Sequence, residues 1–298
     1  MEAFLAAAAL LPPALRQAAA ELPAPVQSRG EEVRLRAGRC PTVAVDRDEL
    51  PLPGCGPVTV DDLDRTVELA TRASTHAALD RLCQGWFTVR GGHRLGICGS
   101  LSAEHGRVRG LRCLSSLNLR VARAVPDCGA GLVEQLTAED RLCSTLLLAP
   151  PGGGKTTLLR DLLRRLSDGV DGPPLRVGLA DERGEVAALW EGVPQLDVGA
   201  RTDVAEGCPK AEGLMRLLRG MNPQVLACAE ITAPADGHAL EQCANCGVVL
   251  LATAHGSSTA DLRTRPLYRQ LLDRGLFQRV VLPDRSGSLR AWRVEKLC

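Results

Sequence analysis

In the second half of the chain, short apolar runs alternate with stretches of helical periodicity. Residues 144–149, 175–180, 224–229 and 247–253 read as strands. Between them, 155–166, the stretch from Cys208 to about Arg219, and 236–245 read as helices. Strand and helix in alternation predict a parallel sheet with crossover helices. At the tail, Phe277 to Leu282 and Leu289 to Val294 flank Asp284-Arg-Ser-Gly287, which predicts a terminal hairpin.

The first half patterns differently. Met1 to Ala20 is rich in Ala and Leu and is interrupted by Pro12-Pro13, which predicts an amphipathic helix packing on the protein or a partner. It is too short and broken to span a bilayer, which takes about 20 apolar residues. Glu32 to Arg36 alternates polar and apolar, Thr42 to Val45 less clearly, and a turn at Ala37-Gly38 makes the two a hairpin. Residues 61–84 predict a helix with Asp61 or Asp62 near its cap and Leu63, Val67, Ala70 and Leu79 among its apolar positions. Trp86 to Arg90 and Arg94 to Cys98 follow as strands around Gly91-Gly92-His93, and Val108 to Val121 is strand-like. Turn chemistry from Ala124 to Gly131 separates the halves, predicting a smaller N-terminal α+β domain over 1–125 and a second domain over 126–298.

Composition narrows the class only a little. The chain has 298 residues, 45% hydrophobic and 24% charged, with a net charge of +1, as expected of a globular protein without a general affinity for polyanions. Aromatic residues are 2% of the chain, which argues against base stacking on aromatic platforms. The 12 cysteines follow no basic leader, so they read as small buried hydrophobes. Cys243-Ala-Asn-Cys246 is the one CxxC, and no second pair completes a zinc site. Arg90, Arg94, Arg107, Arg109, Arg112, Arg120 and Arg123 cluster in the first half. They fit a solvated strand face, or contact with a neighbouring subunit's nucleotide or with nucleic acid.

The chemistry concentrates at 144–157. The strand-like run Ser144 to Ala149 enters Pro150-Pro-Gly-Gly-Gly-Lys-Thr-Thr157, and a helical segment follows. Strand, glycine-rich loop ending Gly-Lys-Thr, then helix is the context of a P-loop. The sequence therefore predicts an α/β, RecA-like P-loop NTPase core. Pro151, Gly152, Gly153, Gly154, Lys155, Thr156 and Thr157 are its phosphate-binding residues, with ATP and Mg²⁺ as ligands. Lys155 would reach the β- and γ-phosphates, and the Thr156 hydroxyl would hold Mg²⁺. The consensus opens with glycine, where this chain has Ala149.

Hydrolysis also needs carboxylates at strand ends beside that loop. One candidate strand runs into Asp181-Glu182-Arg183-Gly-Glu185, readable as chemistry or as an exposed charged loop. Another ends Ala229-Glu230, in the position of a Walker B strand whose aspartate is replaced by alanine. Glu230 is then the residue that polarises water, Glu182 helps it, and Asp181 or Glu182 compensates at the metal. A third strand ends Thr253-Ala-His255, which puts Thr253 and His255 on the same edge to sense phosphate or orient water.

Asp181 to Glu185, Val193 to Asp203, and Cys208-Pro-Lys-Ala-Glu-Gly213 together resemble the stage III sporulation protein AA family. Glu32 to Gly38, Gly91 to Gly96, Ser115 to Arg123, Ala252 to Gly256 and the segment around Phe277 to Leu282 carry the same resemblance. It implies an ATPase related to the motors of type II secretion and type IV pilus machines. By the same resemblance the protein is a homo-oligomer, a hexamer, and cytoplasmic in the mother cell of a spore former. It would sit at a membrane through channel proteins of the sporulation complex. An arginine from the N-terminal region or Arg201 would complete a neighbour's site. Members of the family usually carry Asp-Glu where this chain has Ala229-Glu230, and glycine where it has Thr232. The rival readings are a nucleic-acid-dependent RecA-like ATPase and a nucleotide-binding scaffold without turnover.

Overall fold

Apolar residues on one face of an antiparallel sheet, and on both faces of a parallel one, give this protein two separate cores. A computed structural model describes residues 1–71, 85–104, 107–284 and 291–297. These divide into two compact units, Met1–Arg123 with Ala188–Gln195, and Ala124–Ala187 with Leu196–Cys298.

The first unit is a sheet of six antiparallel strands: β1 (Glu32–Arg36), β2 (Thr42–Val45), β3 (Asp48–Pro51), β4 (Trp86–Thr88), β5 (Arg94–Glu104) and β6 (Arg107–Arg120). Their order is β3-β2-β1-β6-β5-β4. The expected hairpin is β1–β2, with Val33 opposite Val43. Alternation puts Val33, Leu35, Val43, Leu95, Leu117 and Leu119 in the core, where they meet Phe4, Ala7, Leu11 and Leu15. Those last residues come from helices Glu2–Ala8 and Pro13–Ala20, with a third at Ala24–Arg29. The N-terminal segment therefore packs on its own unit as two helices divided at the proline pair. The helix expected over 61–84 is present as Val60–Thr71; its remainder, with Leu79, lies outside the described residues. Segment Ala188–Gln195, which holds the short antiparallel pair Leu189–Trp190 and Val193–Pro194, belongs to this unit although it comes from the middle of the other. Within the unit Gly91, at φ +82°, donates its N–H to Gln195 Oε1 at 2.9 Å.

The second unit holds the seven-stranded sheet with β7 (Thr145–Ala149), β8 (Val177–Asp181), β9 (Thr202–Glu206), β10 (Val225–Glu230), β11 (Val249–His255), β12 (Arg279–Asp284) and β13 (Ala291–Lys296). The order is β9-β8-β10-β11-β7-β12-β13. All neighbours are parallel except β12–β13, the predicted terminal hairpin, whose turn lies outside the described residues. Every residue of β7 and β8 is buried, as strands covered on both faces require. Helices Lys155–Asp168, Lys210–Gly220 and Pro234–Asn245 match the expected positions. Strand β9 and helices Thr259–Thr264 and Pro266–Asp273 were not anticipated.

Parallel strands put their C-terminal ends on one edge. The register aligns Ala149 with His255, Ala180 with Cys228, and Glu230 with Thr253. The tips of β7, β8, β10 and β11 therefore frame a single crevice, the usual ligand position in such sheets.

Candidate functional site: the phosphate cavity

A cavity of about 500 Å³ opens at that edge, within the range of small-molecule sites. Its wall includes Pro151 to Thr157, Glu182, Ala229, Glu230, Thr253 and His255. The expected phosphate-binding residues thus share one cavity with every expected carboxylate except Asp181.

Local geometry explains the loop sequence. Gly152 and Gly154 hold φ of +72° and +86°, in the left-handed region that glycine occupies without strain. At Gly153 an added Cβ would lie 2.8 Å from the Ala149 side chain and 2.9 Å from the Pro150 carbonyl. The loop can be this tight only without side chains. Gly154 caps the helix that begins at Lys155, so the first N–H groups of that helix face the cavity end of the loop. The residues present fit a nucleotide phosphate with its metal: unpaired helix N–H groups, a lysine and the Thr156 hydroxyl.

Lys155 is 6% exposed. Its Nζ donates to Ala149 O at 2.8 Å, to Pro150 O at 3.2 Å and to His255 Nδ1 at 2.7 Å. An ammonium only donates, so Nδ1 is the acceptor, and Nε2–H of His255 donates to Glu230 Oε2 at 2.7 Å. Lysine, imidazole and carboxylate form one chain across the floor of the cavity. Burial pushes the Lys155 ammonium down from its ordinary value, partly opposed by the charge of Glu230. Arg265 donates to the His255 carbonyl at 2.7 Å and pairs with Asp261, which holds the end of β11.

Asp181, expected to serve the metal, is not among the residues that line the cavity. It is completely buried and takes backbone N–H bonds from Glu185, Val186 and Ala187 at 3.0, 2.9 and 2.8 Å. Burial raises its carboxyl from the ordinary range, against those three donors. Arg160 closes the same loop, donating to Val186 O at 2.6 Å and Glu185 O at 2.8 Å. Asp181 therefore ties the acidic loop into a fixed shape, and its neighbour Glu182 reaches the cavity instead.

Glu182 does not stand alone there. Lys210 Nζ donates to Glu182 Oε2 at 2.5 Å and lies 3.5 Å from Thr232 Oγ1 and 3.7 Å from Asp236 Oδ2. Lys210 lines the cavity, and sequence reasoning gave it no role. One signal was available. Lys210 is the first residue of its helix, where a cation opposes the dipole. A lysine there calls for an anionic partner.

Four of the seven clustered arginines of the first unit have partners within it. Arg120 pairs with Glu32 at 3.3 Å, Arg109 lies 3.5 Å from Glu104, and Arg94 covers the Trp86 ring at 3.7 Å. Arg123 donates to the carbonyls of Ser28, Gln27 and Gly30. In the second unit, Cys243 is buried and Cys246 exposed. Burial pushes the Cys243 thiol up to about 11. Among the described residues no group of three His, Cys, Asp or Glu could hold a metal, and no helix is long and apolar enough to cross a membrane.

Comparison with known proteins identifies the family and the fold. The sequence model of the family described as "Sporulation stage III, protein AA" matches residues 8–292. Stage III sporulation protein AA of Bacillus subtilis is 37% identical over 280 residues, which are 94% of this chain and 90% of that protein. The protein ycf45 of Porphyra purpurea is 30% identical over 200 residues, 66% of this chain and 32% of the relative. Among solved structures, the ATPase DotB of Legionella pneumophila superposes with a TM-score of 0.57 at 14% identity, covering 89% of this chain and 75% of that one. The pilus retraction motor PilT, solved with bound ADP, gives 0.57 at 18% identity over 90% of this chain and 79% of that one. The fold is that of the ATPase DotB and the pilus retraction motor PilT.

Proposed function

The chain belongs to the Sporulation stage III, protein AA family, and from that membership and the cavity's geometry we propose that it binds and hydrolyses ATP as the motor of a sporulation machine. The observation that carries the proposal is the hydrogen-bonded chain Lys155–His255–Glu230 on the floor of a glycine-loop cavity.

Each residue then has a role. The N–H groups of Gly152 and of Gly154 to Thr157, with the Lys155 ammonium, bind the phosphates. The Thr156 hydroxyl holds Mg²⁺, which when bound supplies positive charge to the phosphate oxygens. Glu230 accepts the proton of the attacking water as the bond to the terminal phosphorus forms and the phosphoanhydride bond breaks. His255 keeps the Glu230 carboxylate oriented and exchanges its contact with Lys155 for one with the nucleotide. Subunits assemble as a hexamer, in which an arginine of the first unit or the exposed Arg201 completes a neighbour's site. The assembly works on the cytoplasmic face of a mother-cell membrane, docked on channel proteins.

ATP hydrolysis by size-resolved wild-type protein beside Glu230→Gln tests this. Turnover that rises with oligomer formation and vanishes in the variant is expected. One observation favours a second reading. Position 229 is alanine and Asp181 is sealed away, so neither position brings a carboxylate to the cavity. A scaffold that binds nucleotide without turnover fits that arrangement, and equal residual rates in wild type and Glu230→Gln would establish it.

A further inference from the structure

Lys210 is a cation that the fold has gone to some length to bury. Its residue is 8% exposed, at the first position of a helix whose dipole disfavours it, and its ammonium reaches the wall of the phosphate cavity. Three oxygens surround it: Glu182 Oε2 at 2.5 Å, Thr232 Oγ1 at 3.5 Å and Asp236 Oδ2 at 3.7 Å.

The two carboxylates are not equivalent. Asp236 is 4% exposed, and its Oδ2 already accepts the N–H groups of Thr232 and Ala233 at 3.0 Å each, closing the start of helix Pro234–Asn245. That carboxylate is structural. Glu182 has a side chain 40% exposed to the cavity side and lies on the loop that Asp181 and Arg160 fix from behind. It can turn towards solvent at small cost, leaving Lys210 free to take another anion. Thr232, which anchors the ammonium from the other side, follows Glu230 by two residues. Lys210 is thus held beside the wall where Glu230 would meet water and the terminal phosphate, a second cation in addition to Lys155, which reaches the β- and γ-phosphates from the loop.

We propose that Lys210 is a second phosphate-binding cation of this cavity, selective for the terminal phosphate of a nucleoside triphosphate, with Glu182 occupying its ammonium until that phosphate arrives. The inference rests on the nucleotide reading above and adds to it a sensor for triphosphate over diphosphate. Entry of the terminal phosphate transfers the ammonium from Glu182 to the phosphate oxygens, and the released Glu182 joins Glu230 on the water side.

The test compares affinities of the full-length protein for ADP and for a β,γ-imido triphosphate, both with Mg²⁺, by calorimetry. Lys210→Met should weaken the triphosphate analogue about tenfold, as loss of a charged hydrogen bond does, and leave ADP within about twofold. Lys210→Arg should retain most of the preference. Glu182→Gln should tighten the triphosphate and leave ADP unchanged, because the competitor for the ammonium loses its charge. These opposite signs are what a packing role would not produce. Equal losses for both nucleotides in Lys210→Met, or no change in either, would overturn the proposal. Should Lys210→Met fail to fold, Glu182→Gln decides alone, and an unaltered triphosphate-to-ADP ratio refutes it. Wild-type protein that binds neither nucleotide overturns the nucleotide reading itself, an outcome distinct from all of these.

Discussion

In the first unit, Arg34, Arg36 and Arg120 meet Glu32 and Glu49 on the outer face of a sheet, with arginine side chains 37–59% exposed. In the second, Lys155 and Lys210 are each under a tenth exposed and line one cavity. Both regions pair cations with oxygens at similar distances, yet the consequences differ. An exposed pair replaces water with a carboxylate and is worth ~0–1 kcal/mol. A buried ammonium has no water to fall back on, so each of its donors is held by a protein oxygen or nitrogen or by a ligand. Charge clusters in a sequence therefore mark chemistry only where the fold removes solvent.

The sharpest break of that contrast is Lys155→Ala. It should weaken nucleotide binding by roughly 100-fold, the range of a lost charge-assisted contact, with the fold intact by circular dichroism. Retained affinity would remove the cavity from consideration as a phosphate site. Next comes Asp181→Ala. Two buried N–H groups and a part-buried one lose their acceptor, costing on the order of 3 kcal/mol, seen as a lower denaturant midpoint of the second unit. An unchanged midpoint would mean that the carboxylate does not hold the acidic loop.

A similar magnitude is expected in the first unit from the deeply buried imidazole of His93. His93 is 2% exposed; its Nδ1 accepts the Ala122 N–H at 3.0 Å, and burial pulls its pKa down to about 4. The unfolded chain takes up the proton near pH 6.5, the folded one only near pH 4. The stabilisation is thus complete above pH 6.5 and is lost as pH falls towards 4, about 3 kcal/mol in all. Melting temperatures across that window should fall more steeply in wild type than in His93→Gln; parallel curves would assign the acid loss elsewhere. The smallest effect belongs to Arg109→Ala with Arg120→Ala. Stability should change by less than about 1 kcal/mol, and ATP turnover should not change. A DNA- or RNA-stimulated turnover lost in that double variant, falling steeply with salt, would restore the nucleic-acid reading.

The second unit was legible because its signals are local. A buried parallel strand is a short apolar run, and Gly152-Gly-Gly-Lys-Thr156 has little use outside a tight anion-binding turn. Asp181 and Glu182 show where local reasoning ends. Both are carboxylates at the tip of one strand, and sequence gives them the same chemistry. The backbone beyond them curls back so that three N–H groups enclose Asp181 and leave its neighbour facing the cavity. Lys210 was hidden for a related reason: its partners, Glu182, Thr232 and Asp236, come from segments distant in sequence. Strand β9, with no fully buried residue, offered too weak an apolar pattern to be seen. The first unit showed its hairpin and helices through alternation and periodicity, but nothing in its sequence announced that Ala188–Gln195 belongs to it.

That borrowed segment has a bearing on synthesis. Chains fold as they leave the ribosome, N-terminal units first. Here the first unit cannot be finished when Arg123 emerges, because its last piece is still to be translated within the second. The Gly91 amide waits for Gln195, and by then the second unit's glycine loop and the helix Lys155–Asp168 are already outside. The order of completion is thus interleaved. A gene fragment ending near residue 123 encodes an unfinished body, and one starting near residue 124 carries a hairpin without the unit it packs in.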